Sequence, residues 1–98
     1  MNLPLKLALV TWTDASGGSS LGWRDISEVL SEAHPAKAVS VGYVLAETED
    51  SIVICPHLML DDSGCPERGD GELVIPKGWV ERVEYLPSAA KYSEMILP

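Results

Sequence analysis

The chain has no Phe, only two Cys and two His, and 7 Lys and Arg against 15 Asp and Glu. Each scarcity excludes something. A formal net charge of −8 argues against a protein that grips long nucleic acid, because such grip needs a cationic face that releases counterions. Two His leave little room for a general base, and neither His34 nor His57 sits in a nucleophile signature; no G-x-S-x-G occurs. No run approaches the roughly 18 consecutive apolar residues of a membrane span. Met1–Val10 lacks a cationic start and a long apolar stretch, with Pro4 and Lys6 interrupting it, so an export signal is not expected. With no export signal, Cys55 and Cys65 are expected as free thiols in a cytoplasmic protein.

What is present fits one small domain. The 98 residues are 46% hydrophobic, with three Trp, eight Gly and seven Pro. That is enough for a single core and too ordered a composition for a disordered chain. Lys6–Thr13 alternates as a strand with both faces partly apolar. Asp14–Gly22 is a Ser/Gly loop. Asp25–Ala33 reads as a short helix, with Asp25 and Glu28 as a capping box and Ile26, Val29, Leu30 and Ala33 as an apolar stripe that Trp23 extends. His34-Pro35 ends it.

Ala38–Glu47 is the clearest strand. Val39, Val41, Tyr43 and Leu45 share one face; Ser40, Gly42 and Ala46 lie on the other beside Val44. Gly42 in mid-strand predicts a bulge, a bend or the close approach of another backbone. After the turn Thr48–Ser51, Ile52–Cys55 returns as the second arm of a hairpin, resuming through His57–Leu60 past Pro56. Asp61–Gly71 (DDSGCPERGDG) reads as an exposed polar loop. Glu72–Ile75, a turn or single 3-10 turn at Pro76–Trp79, and Val80–Leu86 complete the pattern. The expected architecture is mainly β: a strongly curved five-stranded barrel over residues 1–86, one helix inserted after the first strand, and a tail at 87–98 ending in Met95, Ile96 and Leu97.

Two segments carry a resemblance. Ser40–Leu58 (SVGYVLAETEDSIVICPHL) resembles the Gly-bearing bent hairpin of Sm-like barrels. Glu72–Leu86 (ELVIPKGWVERVEYL) resembles the closing strand, 3-10 turn and strand of Sm-like and Src-homology-type barrels. Together with Val10-x-Trp12-x-Asp14-Ala15, Gly22-Trp23 and Ile75-Pro76-Lys77-Gly78, the pattern is similar to a group of small bacteriophage-encoded proteins of unknown role. The resemblance implies a small barrel and, for a phage protein, a task such as counter-defence. The chain lacks the Lys/Arg-rich surfaces of Sm-like RNA chaperones and the paired tyrosines of peptide-binding Src-homology domains. The resemblance therefore carries the fold and not those two jobs.

The candidate site follows from chemistry. Ser16–Ser20 leads into Gly22-Trp23-Arg24, which brings together amides, hydroxyls, an indole plate and a guanidinium. That set suits a nucleotide, stacked on the indole and held by a bidentate fork on phosphate. The same Ser/Gly stretch also reads as a plain flexible connection, since no G-K-[ST] or G-x-G-x-x-G accompanies it. Trp12, Trp23 and Trp79 are each either core residues or ligand and interface anchors. The expected ligand-binding residues are Trp12, Asp14, Ser16, Trp23, Arg24, Lys77 and Trp79, with no catalytic residue and no cofactor. Cys55, His57 and Cys65 are the candidates for zinc, which wants a fourth ligand such as Asp61, Asp62 or His34. The expected function is a non-catalytic module for a small anionic, nucleotide-like ligand, working as a homo-oligomer whose unblunted strand edges pair. The alternative is a module that binds and inhibits a host or phage protein.

Overall fold

The computed structural model describes residues 5–17 and 22–87. Parts of two expectations lie outside the described residues: the loop stretch 18–21 and the tail from 88 to 98, with Met95, Ile96 and Leu97. The described residues form seven strands and one helix: β1 Leu7–Asp14, α1 Ile26–Glu32, β2 Ala36–Glu47, β3 Ser51–Cys55, β4 His57–Leu60, β5 Pro66–Asp70, β6 Leu73–Pro76 and β7 Val80–Leu86, with a 3-10 turn at Lys77–Trp79 between the last two. β6-β3-β2-β1-β7 make one antiparallel sheet, and β4-β5 a separate two-stranded one.

The strand order demands curvature. The edges of a flat five-stranded sheet lie about 19 Å apart. Here the two edges, β6 and β7, are joined by the three residues Lys77–Trp79. Such a turn rises only about 2 Å per residue. The sheet must therefore curl until its edges come near each other, and no ladder joins them: the sheet is open. A bulge at Leu45, where the β2–β3 register shifts between Val44 and Ala46, and a second between Thr11 and Trp12 against β7 add twist.

The core lies inside the curl. Ala8, Val10 and Trp12 of β1 meet Ile52 and Ile54 of β3 and Ile75 of β6, with Ala38, Val44, Leu73, Val80 and Val83 packed against them. Each fully buried Ile or Val contributes about 1.5–3 kcal/mol. On β2 the inward face is the small-residue one, and the larger Val39 and Val41 point outward, 63% and 45% exposed. Gly42 explains this. A Cβ there would stand 2.9 Å from the backbone nitrogen of Cys55, so the β2–β3 backbones approach too closely for any side chain. Of the bulge, bend or close approach expected at Gly42, the structure shows the close approach, and the bulge falls at Leu45.

Three expectations are corrected. His57–Leu60 does not continue the β2–β3 hairpin. Pro56 offers no N–H to a ladder, and the chain leaves the sheet there to pair with Pro66–Asp70, part of the expected loop. The turn joining β4 and β5 is organised by Asp61. Its Oδ1 accepts from the N–H and Oγ–H of Ser63 and the N–H of Cys65. Second, the Asp25–Glu28 capping box does not form, because the Asp25 side chain makes no cap hydrogen bond; only its carbonyl accepts, from the N–H groups of Glu28 and Val29. Third, the apolar stripe of α1 faces solvent: Trp23, Ile26 and Leu30 are all exposed and the helix buries no residue. Its anchors are polar ones at its two ends.

Candidate functional site

The anchors of α1 build a cleft. Ser16, just past β1, donates its hydroxyl to the His34 carbonyl. Arg24, before the helix, pairs with Glu32 in its last turn. Together they bring the loop after β1 against the exit of α1. The cleft between them, about 360 Å³, is lined by Ser16, Gly17, Arg24 and His34 with Glu32 and the apolar Val29, Ala33 and Ala36. His34 Nδ1 lies 2.8 Å from the Glu32 carbonyl. A carbonyl only accepts, so Nδ1 carries the proton, and in the neutral ring Nε2 is left as an acceptor.

A second cleft, about 290 Å³, adjoins the first in sequence on both sides: Asp14 and Ala15 precede Ser16, and Pro35 follows His34. Thr13, Gly78 and Trp79 complete it. Trp79 is one of its walls. Behind Trp79 lies Trp12, parallel within 8° and with ring centroids 6.4 Å apart. The Trp12 indole N–H donates to Ser40 Oγ at 3.1 Å, which fixes the inner ring. One face of Asp14 is already engaged, since its Oδ1 accepts from the Ala15 N–H at 2.8 Å.

The seven expected site residues thus divide. Ser16 and Arg24 share the first cleft, while Asp14 and Trp79 share the second. Trp12 is buried and acts on the site only through Trp79. Trp23 stands fully in solvent beside Arg24. Lys77 is elsewhere: its ammonium reaches Glu47 Oε1 at 2.8 Å and its N–H donates to the Asp50 carbonyl. There it ties the 3-10 turn to the end of β2. Tyr85 of β7 donates to the other Glu47 oxygen at 3.4 Å, with Lys6 above its ring. The Lys77 hydrogen bond and charge hold the Glu47 carboxyl below the ordinary glutamate range. Glu81 is likewise held down, by Thr13 Oγ1–H and then by Lys37. Reading residue types alone missed Glu32 and His34 as walls of the cleft. The signal for His34 was positional, a polar ring placed by Pro35 at a helix exit.

The zinc candidates are not brought together. Cys55 is buried, and its thiol proton is shared between the His57 and Asp70 carbonyls. Cys65 is exposed beyond the far rung of the β4–β5 ladder, beside Ser63. Both thiols are free, as expected. Among the described residues no three His, Cys, Asp or Glu side chains gather as a metal would need. No described helix is long and apolar enough to cross a membrane. Comparison with known proteins finds no matching family model, no matching curated protein and no matching solved structure.

Proposed function

We propose that this chain is a non-catalytic binding module for a small anionic, nucleotide-like ligand. One observation carries the reading: Ser16, Arg24 and His34, from the loop after β1 and the two ends of α1, converge on one cleft whose neighbour is walled by Trp79. The ligand's phosphate exchanges Glu32 for itself on the Arg24 fork, with the Ser16 hydroxyl beside it. The base or ribose lies over the Trp79 face, which Trp12 holds parallel to its own.

The curled sheet supports a barrel of the Sm-like or Src-homology type as the scaffold, because its two edge strands are joined by one short turn. The motifs resembling small phage proteins favour a cytoplasmic, homo-oligomeric protein that sequesters a nucleotide-derived immune signal. Sequestration differs from hydrolysis in what is recovered. Protein incubated with ADP-ribose and cyclic di- and trinucleotides, separated by ultrafiltration and heat-denatured, returns one of them intact. Return of a cleaved product instead makes the protein an enzyme, and retention of none removes the ligand reading.

The second reading, a module that binds a host or phage protein, is favoured by α1, whose Trp23, Ile26 and Leu30 form an apolar face that packs against nothing among the described residues. Substituting Ile26 and Leu30 by Glu abolishes partner capture under that reading and leaves nucleotide retention intact under the first.

A further inference from the structure

The two edges of the main sheet are unequal. β6 has only four residues and ends on Pro76, which has no N–H to offer a neighbour. β7 has seven, without Pro or Lys, and among the described residues it is paired along one side only, to β1. Among the described residues, its other side is a row of backbone groups with no ladder partner.

The sequence of that strand is self-complementary in charge. β7 reads Val80-Glu81-Arg82-Val83-Glu84-Tyr85-Leu86. An antiparallel copy laid against it with Val83 facing Val83 sets Arg82 opposite Glu84 twice, once on each side of the dyad. Glu81 is the extra residue of the bulge against β1, so the regular self-paired stretch is centred on Arg82, Val83 and Glu84. Register with β1 puts Arg82 and Glu84 on the same outer face, opposite Thr11 and Leu9, so the two crosswise ion pairs lie on one surface. Residues facing each other across an antiparallel pair stand about 4.5–5.5 Å apart, within reach of such pairs. Centring the dyad on Arg82 or on Glu84 instead sets like charges face to face. In the single chain Arg82 and Glu84 already pair with each other along the strand, at 69% and 41% side-chain exposure. Trading that contact for the crosswise one strands neither charge.

We propose that β7 is a homodimer edge, joined to a second copy of this chain in the register that pairs Val83 with Val83, to give one ten-stranded antiparallel sheet across a two-fold axis. The proposal deepens the homo-oligomer named above and is independent of the ligand. A failed ligand titration leaves it standing, and a monomeric mass leaves the ligand reading standing.

The test uses a charge exchange that keeps the contact along the strand. The double variant Arg82→Glu with Glu84→Arg retains one cation and one anion within each β7. It is complementary to itself and repulsive toward the wild-type chain. Light scattering on either protein at about 100 µM is expected to give twice the 10.6 kDa chain mass. Because the exchange leaves the mass unchanged, one protein is labelled with 15N, the two are mixed, and native mass spectrometry counts mixed dimers. Sorting into like pairs, with mixed dimers well below half of the total, is the expected result. A wild-type mass of one chain, a mass above two chains, or mixing in the statistical one-to-two-to-one ratio overturns the proposal.

Discussion

Trp12 and Trp79 lie ring over ring, parallel within 8°, one from the first strand and one from the turn that joins the last two. Trp12 is 9% exposed and tied to Ser40; Trp79 is 42% exposed. The inner ring therefore belongs to the core, and the outer ring is at once a lid on it and a wall of the second cleft. Trp12→Ala is expected to lower unfolding free energy by about 3–5 kcal/mol. Trp79→Ala is expected to lower it by less, about 1–2 kcal/mol, since the partly exposed ring forfeits part of its area and the stacking term. Urea titration followed by circular dichroism measures both. Equal losses would show that the two rings share one environment.

The helix makes the opposite prediction. Because α1 buries no residue, Leu30→Glu should change stability by no more than about 0.5 kcal/mol, as for a surface position. A loss of about 2 kcal/mol or more in a thermal or urea melt would mean that the apolar face of α1 is covered in solution.

The thiols divide in the same way. Cys65 is exposed and should react at once with a thiol-specific chromogenic disulfide in native conditions. Cys55 is buried, shielded by Gly69, where an added Cβ would come within 2.8 Å of its sulfur. It should react only after denaturant is added. One rapid equivalent followed by one denaturant-dependent equivalent is the expected titration; two rapid equivalents would contradict the packing around Cys55.

Acid should weaken the fold through three carboxylates. Glu47, Glu81 and Asp61 all titrate below their ordinary values of 4.5, 4.5 and 3.8 because donors hold the charged form. For Asp61 the donors are the Cys65 N–H first and Ser63 next. A carboxyl whose folded pKa is depressed adds stability that is fully present above its unfolded pKa. That stability is lost as pH falls through the folded one. Melting temperature should therefore hold steady above about pH 5 and fall as pH drops below about 4.5. Lys77→Met removes the largest cause at Glu47 and should flatten that fall. An unchanged slope in the variant would show that Lys77 does not hold Glu47 in solution.

Much of the fold was legible because it rests on local alternation and on Gly and Pro. β1, β3, the turn at Lys77–Trp79 and β7 follow the sequence pattern closely, and the close approach of β2 to β3 is one of the three irregularities that Gly42 pointed to. What escaped were relations between segments. Pro66–Asp70 is charged and Gly-bearing, and becomes a strand only because Pro56 diverts His57–Leu60 toward it. The stripe of α1 had the spacing of a packed face, yet spacing does not say whether a surface waits for it. Of the site, Ser16 and Arg24 were legible as chemistry, whereas Glu32 and His34 enter only through the folding of α1 back onto the loop. Lys77 looked like a free cation, and Glu47 holds it instead.

Arg24 is the cation on which ligand binding depends most directly in the proposed function. Isothermal titration calorimetry of the wild-type chain against ADP-ribose and a panel of cyclic nucleotides should give saturable heat with at least one of them. Arg24→Ala should weaken that binding by about ten- to a hundredfold, the loss of a charge-assisted pair of hydrogen bonds. The main sheet should stay folded, because Arg24 lies outside its core. No heat with any member of the panel, or equal affinity in the two proteins, would contradict the proposed function.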